Sequence, residues 1–308
     1  MPDGAMRRDP GVLDEAYDRL ARTDFELPNG FVNHGPMAVE ALDALGLDDQ
    51  VDGWARRIAD MIGQGPEPAA PSSLGSGAWG DGLGDYRLLP EWIGLFDRDL
   101  TEWGWATVVE VWVPRLMPAL STALFHGAIR TAHAVRAIDT VDTAARRSEL
   151  ARALGYWAAR FRPGPVPEAS GATDSVGDRL LAAAAGGARH YVEEPTIFAL
   201  HGVTGAMAVD LLLPHLDPDA GAAALAQLQA DHAALYGDTP APAPGEIGPA
   251  GWEDAAPRAA AASGDPHQVK LVEACRRGWD AAGDPAFPEA ARTVTARSPA
   301  IVAPLPAR

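Results

Sequence analysis

A histidine and a lysine stand three residues apart in the segment 265–275, which reads Asp-Pro-His-Gln-Val-Lys-Leu-Val-Glu-Ala-Cys. Asp265 is a good N-cap and Pro266 a good first helical residue, so the segment predicts the start of a helix. This helix would present His267 and Lys270 on one face, beside apolar neighbours that favour burial. Lys270 is the only lysine of the chain, which suggests a need for an amine here. The alternative is a surface lysine beside a solvated histidine.

Three further histidines, His34, His126 and His201, each lie in or at an apolar helical pattern elsewhere in the chain. Taken alone, each is most simply a core or surface histidine. With His267 they make four of only eight histidines, in four separate segments, and this distribution suggests convergence on a metal. Imidazole suits iron, zinc, copper and nickel alike, so the residues do not choose among these ions.

Several familiar motifs are absent from the sequence or fail in context. There is no Glu-x-x-His of di-iron bundles, no His-Glu-x-x-His, no P-loop and no Gly-x-Ser-x-Gly. His215 and Asp217 form a His-x-Asp pair, but Asp217 before Pro218 reads more simply as a helix N-cap. The segment 75–80 is formally Gly-x-Gly-x-x-Gly, yet prolines precede it and glycines follow it. It predicts a loop, a candidate lid, instead of a dinucleotide site.

The composition of the chain excludes several kinds of partner and site. The 308 residues can bury a large core, and a net charge of −17 without a basic block argues against nucleic acid and anionic membranes as partners. The single cysteine, Cys275, excludes an internal disulfide and a cysteine-rich metal site. The first residues have no apolar core of signal-peptide type, and no run of about 18 apolar residues is found, so we expect a cytoplasmic protein without a membrane span.

The elements that must position these residues are helices, because apolar residues recur with helical spacing and no alternating strand pattern occurs. We predict an all-α fold, with one large helical domain over residues 12–281 and an extended tail over 282–308. If the domain divides into two lobes, the proline-rich segment 162–174 is the boundary. One helix from Ala119 to Ala137 would carry His126 and His133 on one face, with Arg130 between them.

Four motifs, taken together, resemble the questin oxidase-like family, in the same order and spread over residues 15–280. The first is Phe31-Val32-Asn33-His34-Gly35-Pro36-Met37-Ala38 followed by Glu40-Ala41-Leu42 and Leu45-Gly46. The others are Phe125-His126-Gly127-Ala128-Ile129-Arg130, Leu200-His201-Gly202-Val203-Thr204-Gly205-Ala206 and Asp265-Pro266-His267-Gln268-Val269-Lys270-Leu271. The chain is shorter than the fungal members, so insertions that shape their pockets are expected to be missing.

The resemblance implies an oxidase of polycyclic aromatic polyketides. Fungal members open a ring of anthraquinones in a Baeyer–Villiger-like reaction, and a relative is understood as a non-haem iron dioxygenase. Carried over, Fe(II) would be held by His34, His126, His201, His267 and Lys270, the last as a carbamate formed with carbon dioxide. Whether His126 or His133 is the ligand stays open. An NADPH requirement is associated with the family, but no motif for it occurs here, so a reductase partner is a further expectation.

The surroundings of such a site can also be predicted. Acceptors for the histidine N–H groups are expected, with Glu273 or Asn33 as candidates. We expect the substrate pocket, or the region behind the ligands, to be formed by His133, Arg130, Trp79, Trp105 and Phe198. The alternative is that the tryptophans only pack in the hydrophobic core and do not contact a substrate.

Two other functions remain open at this point. One is a non-catalytic helical protein, either a metal-stabilised scaffold or a carrier of aromatic polyketides, which a closed ligand shell would favour. The other is a zinc hydrolase. Metal analysis distinguishes the three functions by whether the protein contains iron, zinc or no metal.

Overall fold

The structure is a computed structural model that describes residues 10–69, 74, 79–165, 167, 175–237, 239–243 and 250–297. Over these residues the fold is all-α, as predicted: thirteen α-helices and four short 3-10 segments occur, and no strand. Two isolated β-bridges, Thr23–Gln64 and Glu26–Val32, tie the first loops together.

The helices are named here in chain order. They are α1 (Pro10–Leu20), α2 (Gly35–Ala44), α3 (Asp48–Met61), α4 (Leu89–Trp103), α5 (Trp105–Leu116), α6 (His126–Thr140), α7 (Ala144–Ala159), α8 (Val176–Glu193), α9 (Ile197–Leu212), α10 (Pro218–Tyr236), α11 (Trp252–Ser263), α12 (Pro266–Ala282) and α13 (Ala286–Thr295). The predicted caps are confirmed: the side chains of Asp217 and Asp265 accept backbone N–H bonds at the starts of α10 and α12.

Four of these helices frame the centre of the protein. α2 packs against α6, α6 against α9, α9 against α12, and α12 returns to α2. Glycines allow the close approach: a Cβ on Gly205 of α9 would lie 2.5 Å from the ring of Phe125, and one on Gly127 of α6 would lie 2.6 Å from Trp157. No side chain larger than hydrogen fits at either contact, so these two positions bring α9 and α7 against α6.

A separate aromatic cluster forms the core between α4 and α5. Trp92, Phe96 and Trp112 are buried, with ring centroids 4.9 to 6.0 Å apart in edge-on and stacked pairs. Trp79 adds an edge-on contact to Trp112 at 5.3 Å, and Arg115 lies over both of these rings. These aromatic residues therefore pack on one another, the alternative that the sequence had left open.

The prediction of one helix from Ala119 to Ala137 was wrong, because α6 begins only at His126. Before it, Ala123, Leu124 and Phe125 have positive φ values of 47°, 57° and 64°. Left-handed backbone costs residues with a Cβ about 1–2 kcal/mol each, so tertiary contacts must hold this turn. One such contact is the packing of Phe125 against Gly205.

The prediction of an extended tail over residues 282–308 was wrong for residues 286–295, and residues 298–308 lie outside the described part of the chain. Residues Ala286–Thr295 form α13, which packs against α8, α11 and α12. Asp284 accepts the backbone N–H of Ala286 at its start, and Phe287 fills the space opposite Gly278. Pro288 lies in the first turn, where proline is tolerated, so it does not interrupt the helix.

The stretch Ile197–His215, α9 with the turn after it, is long and apolar enough to cross a membrane by length and composition alone. The sequence pattern had predicted no membrane span here. Of its most apolar window, 67% is buried inside the protein, as expected for a core helix. Its apolar composition matches its position between α6, α8 and α12.

Two predicted segments lie mainly outside the described residues. They are the candidate lobe boundary at 162–174 and the glycine motif, of which residues 75–78 fall in a gap. The division of the chain into one domain or two lobes stays a prediction.

Candidate metal centre

Three imidazoles meet inside the four-helix frame. The Nε2 atom of His126 lies 2.8 Å from Nε2 of His34 and 3.1 Å from Nε2 of His201. His34 directly precedes α2, His126 begins α6 and His201 lies in the second turn of α9, and all three are buried. Among the described residues, these three offer ligand atoms that all lie within 4.8 Å of one another.

The outer ring nitrogens fix the tautomers of two of these histidines. Nδ1 of His126 lies 2.5 Å from the carbonyl oxygen of Ala123, and Nδ1 of His201 lies 2.7 Å from that of Ile197. A carbonyl oxygen only accepts, so both Nδ1 atoms carry the proton and donate. In a neutral imidazole the other nitrogen is then an acceptor, so two Nε2 lone pairs face each other at 3.1 Å.

A cation fits between these lone pairs. Two nitrogen ligands bonded at about 2.1 Å to one ion, at right angles, stand roughly 3 Å apart. The two Nε2 separations, 2.8 and 3.1 Å, have this spacing. Outward hydrogen bonds from Nδ1 are also the usual way in which proteins orient histidine ligands. The donor set is therefore suited to a transition-metal ion.

Protonation of the rings does not remove the repulsion between the facing Nε2 lone pairs. Burial, followed by the positive charge of Lys270, lowers the pKa of His34 and of His126 well below the usual value. Burial, followed by the charges of His126 and Lys270, lowers the pKa of His201 in the same way. The three imidazoles are thus neutral, the form that binds metal.

His267 joins the cluster from α12. Its ring centroid lies 4.3 Å from that of His34 and 5.4 Å from that of His201. Asp265 serves this histidine twice, because one carboxylate oxygen accepts the backbone N–H of His267 at 2.9 Å and lies 3.1 Å from its Nδ1. The N-cap of α12 therefore also orients the imidazole.

Lys270 is a buried lysine, not a surface one. Its side chain is only 1% exposed, and its Nζ has no hydrogen-bond partner in the described part of the chain. Burial lowers the pKa of its amine to about 7, against the opposing charge of Asp265. Its charge acts on the pKa of all four clustered histidines, which shows that the amine lies near them.

A second set of side chains lies further along the same helices, and we call it the charge-paired layer. Glu40 accepts hydrogen bonds from Nδ1 of His133 at 2.5 Å and Nε of Arg136 at 2.7 Å, and Arg136 also pairs with Glu273. Arg277 continues the chain of charges to Glu273 at 3.1 Å and to Asp210 at 2.7 Å. The layer consists of Glu40, His133, Arg136, Asp210, Glu273 and Arg277.

This layer bears on two predictions. His126 stands in the imidazole cluster, whereas His133, two turns along α6, pairs with Glu40. The suggestion that Glu273 or Asn33 accepts from the clustered histidines was wrong. Glu273 is engaged by arginines, and Asn33 bonds to Thr23 and neighbouring backbone. The acceptors are the carbonyl of Ala123 in the turn before α6, the carbonyl of Ile197 at the start of α9 and the carboxylate of Asp265, the N-cap of α12.

The other predicted pocket residues lie apart from one another. Arg130 makes a buried two-point pair with Glu149, at 2.6 and 2.8 Å. Trp79 packs on Trp112, and the ring of Trp105 lies 5.4 Å from that of His215. Phe198 is 57% exposed at the start of α9. Their role in a substrate pocket stays a prediction.

A surface cleft of about 180 Å³ leads to the imidazole cluster between α8, α9, α12 and α13. His267 and Asp265 form part of its wall, so the cleft borders the imidazole cluster at His267. None of the four residues Arg130, Trp79, Trp105 and Phe198 borders it. The lining residues are Tyr191, Pro195, Thr196, Ile197, Leu200, Asp265, His267, Gln268, Val294 and Arg297.

Sequence reasoning missed the charge-paired layer and the second role of Asp265. Glu40 gave one local signal, since it stands among the apolar residues that α2 buries. Its partners are 93 and 96 residues away, and no local pattern reveals pairs at that separation. No protein-family model matches the chain and no curated protein matches it, so the candidate centre rests on its own geometry.

Proposed function

We propose that the chain is a non-haem iron-dependent oxygenase that acts in the cytoplasm on a polycyclic aromatic polyketide, of the anthraquinone or hydroquinone type. The observation that carries this proposal is the pair of Nε2 lone pairs that face each other at 3.1 Å, from His126 and His201. A cation between these neutral imidazoles would bind both lone pairs. The resemblance to the questin oxidase-like family selects iron and the substrate class.

The ligands would be His34, His126, His201, His267 and Lys270. Four neutral imidazoles leave the charge of a divalent ion uncompensated in a buried place, where an anion is strongly favoured. Lys270 can supply it as a carbamate: its neutral amine forms an N–C bond with carbon dioxide and releases one proton. The burial of this side chain and its free Nζ support that role. Bound Fe(II) supplies the redox chemistry by which an aromatic substrate reacts with molecular oxygen.

The remaining residues hold the site and keep water out. Asp265 and the carbonyls of Ala123 and Ile197 fix three rings through Nδ1. The glycine contacts of α6 and α9 close the protein around the cluster. Reducing equivalents come from a hydroquinone substrate, or from NADPH through a reductase partner. Oxidative ring cleavage, or a Baeyer–Villiger-like oxygen insertion, is the proposed outcome.

Deep burial favours a second candidate, a metal-stabilised scaffold or polyketide carrier without catalysis. His201 is 1% and His126 4% exposed, so the cluster has little access to solvent. The cleft that reaches His267 favours the enzyme, because a purely structural site has no use for an entry path. Iron with turnover supports the oxygenase. Zinc without turnover, lost together with the fold on chelation, supports the scaffold, and zinc with hydrolysis supports a hydrolase.

The test compares wild type with Lys270→Arg and Lys270→Glu, with and without bicarbonate. The guanidinium stays protonated and cannot become an anionic ligand, so we expect the Arg variant to lose metal affinity by about 10–100-fold or more. The Glu variant restores a carboxylate on a shorter stem and should recover metal in part. Iron content by mass spectrometry and oxygen consumption with an anthraquinone give the readouts. Full iron loading and activity in the Arg variant would end the carbamate proposal.

A further inference from the structure

One buried amide faces the cleft without a partner for its oxygen. Gln268 is 2% exposed and lines the cleft beside His267. Its Nε2 donates to the carbonyl of Arg297 at 3.4 Å, which assigns the amide nitrogen to that side. Its Oε1 has no hydrogen-bond partner in the part of the chain that the structure describes. An unsatisfied buried acceptor is energetically costly, so a group that binds here gains by donating to it.

The apolar walls of the cleft limit the size of the group that can reach Gln268. Ile197 and Leu200 of α9 supply an apolar side, and Val294 of α13 lines the cleft as well. The volume of about 180 Å³ is below the range of roughly 300–1,000 Å³ that holds a whole drug-sized ligand. One aromatic ring therefore fits inside, and further rings of a larger molecule must stay at the mouth.

A positively charged side chain, that of Arg297, lies at the mouth of the cleft. Arg297 is exposed and lines the cleft, in a chain whose net charge is −17. An acidic protein repels anions in general, so a local guanidinium creates a favourable place for an oxygen with negative charge. A quinone carbonyl or a phenolate on the outer rings suits this position, since both accept from a guanidinium.

We propose that this cleft binds one hydroxylated ring of an aromatic compound, with the phenolic O–H donating to Oε1 of Gln268. This inference deepens the proposed function and rests on it for the identity of the natural substrate. The bound ring lies beside His267 and takes no place among the metal ligands. Binding in the cleft is therefore independent of the metal, whereas the proposed reaction is not.

The experiment measures the affinities of 2-naphthol and naphthalene for the full chain by calorimetry. The two probes differ in one free hydroxyl. We expect wild type to bind 2-naphthol about tenfold more tightly, the size of one well-made hydrogen bond. Gln268→Met removes the acceptor at similar volume and should bring the ratio close to one. Gln268→Glu keeps an acceptor and should keep the preference.

Two controls separate this result from a general loss of structure. Gln227→Met makes the same change at a buried glutamine of α10 away from the cleft, and the tenfold ratio should persist. Val294→Trp fills the cleft and should weaken both probes about tenfold or more, with unchanged metal content. If Gln268→Met does not fold, the Val294→Trp and Gln268→Glu results still decide the proposal.

The measurement is repeated after chelation, with metal content determined on the same samples. Unchanged affinity for 2-naphthol without metal supports the cleft as an independent site. The proposal is overturned if wild type binds neither probe, if Gln268→Met keeps the tenfold ratio, or if chelation abolishes binding while the helical circular dichroism signal is kept. None of these results depends on whether the metal is iron, so the failure of this inference and that of the proposed function are distinguishable.

Discussion

The imidazole cluster and the charge-paired layer are built on the same four helices, yet they differ in how their polar groups are satisfied. In the charge-paired layer, Arg136 meets both Glu40 and Glu273, and Arg277 meets Glu273 and Asp210. In the cluster, Nε2 lone pairs face each other and the amine of Lys270 has no hydrogen-bond partner within the described residues. Most buried polar groups in proteins are hydrogen-bonded, so a buried polar group without a partner needs an explanation such as a bound ion or ligand. The comparison therefore separates groups that hold the helices together from groups that have no partner within the described residues.

The largest expected effect comes from breaking the charge-paired layer at its centre. Arg136→Met leaves Glu40 and Glu273 buried without this guanidinium, and removal of one partner from a buried ion pair costs about 3–5 kcal/mol. Urea unfolding of the metal-free protein measures this loss. Arg147→Met is the matched control, because its pair with Asp142 is exposed and is worth about 1 kcal/mol or less. Equal losses in the two variants would refute the role given to this layer.

The pH dependence of the same variant sharpens the test. Burial raises the pKa of Glu40 and of Glu273, but Arg136 and its neighbours more than offset it, so both pKa values lie below the usual range. A carboxylate with a lowered pKa contributes stability that is fully present above its unfolded pKa near 4.3 and is lost as pH falls through the folded value. The wild-type free energy of unfolding should fall steeply below about pH 4.3. Arg136→Met should flatten this part of the curve.

The next largest effect is expected for a change in the imidazole cluster, and it concerns metal affinity instead of the stability of the protein. His201→Leu removes one of the two facing acceptors, so the stability of the metal-free protein should change by only about 1 kcal/mol, the scale of one hydrogen bond. Metal affinity should fall about 100-fold or more, beyond the loss seen when only a supporting residue is changed. Competition with a chromogenic chelator gives the affinity. A loss of 3 kcal/mol or more in the metal-free variant, the scale expected for the charge-paired layer, would contradict this comparison.

The smallest expected effect is a gain in the stability of the protein. Ala123 has a φ of 47°, and glycine adopts such a conformation without the steric cost of a Cβ. Ala123→Gly should raise the free energy of unfolding by about 0.5–1 kcal/mol, after the greater freedom of glycine in the unfolded chain is subtracted. Its carbonyl stays in place for His126, so metal affinity should not change. Ala128→Gly, in the interior of α6, is the opposite control and should lower stability.

How far the sequence predicts this molecule depends on the range of the interactions. Asp265 and Pro266 predict the start of α12 because capping is local. The turn at Ala123 to Phe125 escapes prediction, since none of these residue types favours left-handed backbone and only contacts with other helices hold it there. The four histidines were found through their motifs. The charge-paired layer was not, because Arg136 and Glu273 are 137 residues apart and only the folded chain joins them.

The spacing of the clustered histidines has a consequence for how the protein is made. His34, His126 and His201 follow one another at intervals of 92 and 75 residues, and His267 and Lys270 come later still. A ribosome delivers these segments in order, at about 5–20 residues per second, so α2 and α6 are synthesised many residues before α12 exists. Until α12 docks, a nascent chain offers an ion only part of the proposed donor set. If the proposed centre uses all five ligands, it can form only in the nearly complete protein, after α12 has docked on α2 and α9.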